Sequence, residues 1–127
     1  MRRETEIWWK QSEEDLISAE KNFEIERYYV TVFLCQQCIE KGLKALFFKI
    51  KNTNPGQTHS LLFLAKETKV PEKFNKFLRR LTPQFINTRY PDAAYDSPSE
   101  IYDKELTDEY LKETKELMIW LKLQINK

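Results

Sequence analysis

Glycine is nearly absent: Gly42 and Gly56 are the only two in 127 residues. So few glycines leave no room for the G-x-G-x-x-G turn of a dinucleotide fold or for a phosphate-cradling P-loop. The turn residues that a many-stranded barrel or sandwich uses are missing too. Histidine is scarcer still, with His59 alone, which excludes HExxH metal sites and two-histidine zinc fingers. No apolar run reaches the roughly 18 residues of a membrane span. Charge of one sign is also lacking. The chain has 21 Lys and Arg against 20 Asp and Glu, a net +1, without the basic excess of an electrostatic nucleic-acid binder. Met1 to Glu6 are mostly charged with no apolar core behind them, which predicts no secretory leader and a cytoplasmic chain. Two cysteines in apolar surroundings suit a reducing compartment.

What is present is helical periodicity. Trp9, Leu16, Ala19 and Phe23 share one stripe, with Ser12 in the small position between them, which predicts an amphipathic helix over Thr5–Phe23. The stretch from Tyr28 to Cys35 is apolar apart from Thr31, and Ile39, Leu43, Leu46 and Ile50 continue the line. A helix apolar nearly all round belongs at the centre of a bundle, and this one is expected to stop before Lys51–Gly56. A short helix is predicted from His59 to about Thr68. Pro71 opens the next, with Phe74, Phe77, Leu78, Leu81 and Phe85 on its buried side and Pro83 as its break. Thr88–Asp103, with Pro91 and Pro98, loses the period and reads as a long loop. A last helix starts near Asp103 to Thr107 and runs through Leu111, Thr114, Leu117, Met118, Leu121 and Ile125. The predicted fold is therefore all-α, an up-and-down antiparallel bundle of four to five helices forming one domain over residues 1–127.

Cys35 and Cys38 form a C-x-x-C, but in mid-helix, away from the helix N-terminus that would lower a thiol pKa. They read as two buried thiols. Gln37, Glu40, Lys41 and Lys44, at i, i+3, i+4 and i+7, share one face of the most apolar helix. That face is either its solvent side, with Glu40 and Lys44 as an i,i+4 pair, or the lining of a cleft or interface. Arg89, Tyr90, Asp92, Tyr95 and Asp96 fall within one nine-residue segment. Arg89 either forks onto a phosphate while a tyrosine stacks on a base, or pairs with a carboxylate such as Glu40 or Asp92 and staples the loop. His59 is expected to cap the short helix or to hydrogen-bond a neighbouring one. No nucleophile or orienting group for it is visible in the sequence.

Phe33, Gln36-Gln37, Glu40-Lys41, Leu43-Lys44-Ala45-Leu46, then Thr58-His59-x-Leu61-x-x-Leu64, then Arg89-Tyr90-Pro91-Asp92 together resemble the HEPN domain of prokaryotes, and Glu14-Asp15-Leu16 with Ala19 agrees in the first helix. The resemblance covers nearly the whole chain. It implies a helical bundle, commonly a homodimer, with a role in binding nucleotide or RNA. A minimal nucleotidyltransferase is implied as partner, in a two-component or toxin–antitoxin pair. It carries no cofactor and no metal. Many active members are metal-independent ribonucleases marked by an Arg, a polar residue and, after four to six intervening residues in all, a His. This chain departs from that mark: the three positions where a His could follow Arg89 at that spacing hold Ala94, Tyr95 and Asp96, and those where an Arg could precede His59 hold Asn52, Thr53 and Asn54.

No catalytic residue is therefore assigned. The candidate ligand-binding residues are Gln37, Glu40, Lys41, Lys44, His59, Arg89, Tyr90 and Asp92. The missing signature favours a non-catalytic module binding nucleotide or a nucleotidyltransferase. The alternatives are a ribonuclease with an atypical site around Arg89 and a bare homodimeric scaffold. The polar stripe of the central helix and the Arg89 segment are expected to face each other across a cleft. Eight Phe, six Tyr and three Trp are many for a bundle of this size, which points to an association surface.

Overall fold

The computed structural model describes residues 2–127. Three long helices make the bundle: α1 (Arg3–Glu24), α2 (Tyr28–Lys51) and α8 (Lys104–Ile125). Between α2 and α8 lie five short ones: α3 (Leu61–Glu67), α4 (Asn75–Leu81), α5 (Gln84–Asn87), α6 (Pro91–Ala94) and α7 (Pro98–Ile101). A 3₁₀ turn at Glu72–Phe74 precedes α4. The all-α bundle is as expected, and the additional segments arise at prolines. Pro83 divides the helix predicted over 74–85. Pro91 and Pro98 each start a single turn inside what reads from sequence as a long loop.

Each junction has a local cause. α1 ends where Glu26 takes φ 63°, and α2 ends where Asn52 takes φ 57°, a left-handed conformation that asparagine tolerates. Ser60, not His59, caps α3, its hydroxyl accepting from the Phe63 amide at 3.3 Å. Asp103 caps α8 by accepting from the Leu106 amide at 2.8 Å.

α2 is the central element. Val32, Cys35, Ile39, Leu43 and Leu46 are among its buried residues, and Leu117, Leu121 and Ile125 of α8 close over it. α1 runs antiparallel to both. Leu16 and Phe23 pack against this core while staying half-buried. Gly42 sits where the three long helices converge. A Cβ there would stand 3.0 Å from Ser12 Oγ, 3.1 Å from Leu121 Cδ1 and 3.5 Å from the Trp9 ring. The Ser12 hydroxyl donates to the Cys38 carbonyl at 2.7 Å across the same crossing. At the far end Lys49 Nζ donates to the carbonyls of Gln124 and Ile125 at 2.7 and 2.8 Å, satisfying the last turn of α8. Burial raises both cysteine thiols, Cys35 to about 12, so neither supplies a thiolate at neutral pH. No helix of the described residues is long and apolar enough to cross a membrane.

Candidate functional site

The polar stripe of α2 is only partly turned to solvent: Gln37 and Lys41 are half-buried, and Glu40 and Lys44 are buried. The Glu40 side chain is only 5% exposed and Lys44 only 7%. They survive burial because each is matched. Glu40 Oε2 accepts from Lys44 Nζ at 3.2 Å, while Oε1 accepts from Gln36 Nε2 at 3.0 Å and from His59 Nδ1 at 2.8 Å. Lys44 Nζ also lies 5.4 Å from the centre of the Trp8 ring. One turn away Lys41 Nζ meets Asp15 Oδ2 of α1 at 2.6 Å, and Gln11 holds the other Asp15 oxygen at 2.9 Å. The loop after α2 brings His59 back over Glu40, and its ring stacks on Phe85 of α5 with centroids 4.3 Å apart. Between these elements lies a cleft of about 610 Å³ lined by Trp8, Gln37, Glu40, Lys41, Lys44, Asn54, Gly56, Gln57 and His59.

Arg89 belongs to a second cleft. Its guanidinium carbon lies 5.3 Å from the ring centre of Phe33, 5.8 Å from Phe85 and 5.2 Å from Tyr90, and its Nε donates to the Phe85 carbonyl. Among the described residues no carboxylate lies within 4.0 Å of it. The staple to Glu40 or Asp92 is therefore absent. Glu40 is taken by Lys44 and His59, and Asp92 is exposed in the first turn of α6. Tyr29, Thr88, Arg89, Ser97, Pro98 and Ser99 line this second cleft, of about 460 Å³.

The two groups predicted to face each other thus sit on either side of one ring. Phe85 carries His59 and Arg89 both, but Arg89 touches α2 at Phe33, a turn before Gln37. Gln37, Glu40, Lys41, Lys44 and His59 come together; Arg89 and Tyr90 form a pair beside them; Asp92 joins neither.

The sequence matches a family model. The model described as the HEPN domain matches residues 5–124. The chain belongs to the HEPN family. Two solved structures share the fold over 98% of this chain and 99% of their own. TT1696 from Thermus thermophilus is 26% identical with a TM-score of 0.85. ST0689, described as an archaeal HEPN homologue, is 32% identical with a TM-score of 0.80. No curated protein matches the sequence.

Trp8, Asp15, Gln36 and Phe85 are candidate-site residues of this HEPN chain that the site prediction leaves out. Asp15 and Gln36 lie inside the recognised motif blocks, so the blocks themselves were the available signal. Trp8 is one residue off the α1 core stripe, and Phe85 reads as core. Nothing in their spacing marks them as walls of a cleft.

Proposed function

We propose that this HEPN domain is a non-catalytic binding module for a nucleotide, a minimal nucleotidyltransferase partner, or both, with Arg89 as the phosphate contact. The observation that carries the reading is the state of Arg89. It lies 5.2–5.8 Å from three aromatic ring centres, has no carboxylate partner among the described residues, and lines a cleft with Tyr29, Thr88, Ser97 and Ser99. A guanidinium that lies against rings and bonds through Nε to the Phe85 carbonyl still presents its planar fork, which matches two phosphate oxygens. Lys41 and Lys44 are less suited to that task, since Asp15 and Glu40 already neutralise them. Arg89→Ala is expected to weaken nucleotide or partner binding by about tenfold or more, within the range for a charge-assisted bond, with the unfolding midpoint unchanged. Titration of the wild type and variant with nucleoside monophosphates and with a minimal nucleotidyltransferase encoded beside this chain tests this. The reading fails if the wild type binds neither at about millimolar concentration.

One observation favours a ribonuclease instead: Glu40 orients His59 through Nδ1, the arrangement a general base uses. Cleavage of single-stranded RNA without divalent metal, lost in His59→Ala and in Arg89→Ala alike, would replace the binding reading.

A homodimer in the cytoplasm is the proposed setting. Exposed Ile17 and Ile119 line an apolar groove of about 350 Å³ between α1 and α8, where Trp9, Leu16 and Met118 show. Glu13 stands on the α1 side and Lys122 on the α8 side, so a two-fold axis running along the groove would bring unlike charges together. Sedimentation at tens of micromolar, about the range for such contacts, should give a dimer. A monomer there contradicts it.

A further inference from the structure

Hydrogen-bond direction in the α2 cleft starts from a single buried carboxylate. Glu40 accepts only, so Gln36, wholly buried, must turn its amide nitrogen toward it. The Gln36 oxygen is then the acceptor for Gln37 Nε2, at 2.7 Å, which turns the Gln37 oxygen outward. On the other side Glu40 Oε1 accepts from the Nδ1–H of His59, the tautomer whose Nε2 is a bare acceptor. The His59 side chain is 47% exposed, and neither Nε2 nor Gln37 Oε1 has a partner among the described residues. Two outward acceptors on one cleft are thus set by one inward charge. The cations of the cleft are both matched, Lys44 by Glu40 and Lys41 by Asp15, so the site favours an uncharged group. Trp8 supplies a flat apolar wall in the same cleft.

We propose that this cleft selects a nucleobase carrying an exocyclic amine, adenine or cytosine, whose N–H groups donate to Gln37 Oε1 and His59 Nε2. The remaining Gln37 N–H is available to the ring nitrogen beside an adenine amine, the pairing by which a glutamine side chain reads adenine. An oxo group at the same position sets lone pairs against lone pairs and is rejected, because the ligand then covers both acceptors without giving either a donor. The inference rests on the nucleotide reading above and deepens it from phosphate to base.

AMP and IMP differ at that position, as do CMP and UMP, so calorimetric titration with the four nucleotides in one buffer measures the choice directly. The expected result is AMP about tenfold tighter than IMP, the gain of one good base-edge pair, with CMP above UMP. Gln37→Met and His59→Phe, each at a partly exposed position, should lower AMP toward IMP and leave IMP unchanged, with folding checked by the thermal midpoint. Equal binding of AMP and IMP by the wild type overturns the base selection while leaving the Arg89 reading intact. A preference that survives both substitutions overturns the assignment of these acceptors. Absence of binding by all four nucleotides overturns the base selection together with the nucleotide half of the reading it rests on, while partner binding is tested separately.

Discussion

The two clefts beside Phe85 treat charge in opposite ways. In the α2 cleft every ion is matched within the protein: Glu40 by Lys44, Gln36 and His59, and Lys41 by Asp15. In the Arg89 cleft one guanidinium rests on three rings and no carboxylate among the described residues answers it. Groups matched inside a fold hold structure and set hydrogen-bond direction; a cation left unmatched is available to a ligand. The same residue types therefore serve different ends, and what separates them is the partner that the fold brings from another helix.

The comparison breaks first at Glu40. Glu40→Ala strands the Lys44 ammonium, 7% exposed, and the wholly buried Gln36 amide. Removing one partner from a buried pair costs about 3–5 kcal/mol, which urea unfolding should register as a large fall in midpoint. A loss below about 1 kcal/mol, the scale of an exposed pair, would mean the network is not the buried unit described here. Leu43→Ala, wholly buried in the same helix, is expected to cost about 2–5 kcal/mol by the cavity it leaves. That loss should come without any change in nucleotide selectivity.

Both effects fall on α2, whose place in the fold was largely legible. An apolar face nearly all the way round cannot be satisfied at a surface, so α2 had to be central, and Val32, Ile39, Leu43 and Leu46 had to be core. The polar stripe was legible as a group, because i, i+3, i+4 and i+7 share a face. Its burial was not legible, because that depends on Asp15 arriving from α1 and His59 from the loop after α2. Periodicity describes one helix at a time and carries nothing about a partner 19 or 26 residues away. The 88–103 segment lost its period for a related reason: one-turn helices begun by Pro91 and Pro98 are too short to show one.

A smaller effect should appear at high pH. The Cys35 thiol is raised from about 9 to about 12 by burial, and the Tyr102 phenol, also desolvated, is raised from about 10 to about 12. Both groups keep their protons in the folded chain at a pH where the unfolded chain releases them. Their contribution is thus fully present below about pH 9 and is lost as pH rises from there toward 12. Stability measured by urea at stepped pH should fall across that window. Cys35→Ala should flatten its lower part, and an unchanged slope would contradict the buried thiol. At neutral pH the thiols should stay unmodified by a thiol reagent until the chain unfolds.

The smallest expected effect on stability and the largest on binding coincide at Arg89, and that coincidence is the central claim. Arg89→Lys keeps the positive charge but gives up the planar fork and much of the stacking on Phe33, Phe85 and Tyr90. Isothermal titration of wild type and Arg89→Lys with AMP, alongside their thermal midpoints, tests it directly. The account predicts affinity reduced at least about fivefold, the low end for losing a bidentate contact, with the midpoint unchanged. Equal affinity, or a fall in stability with affinity intact, would contradict it.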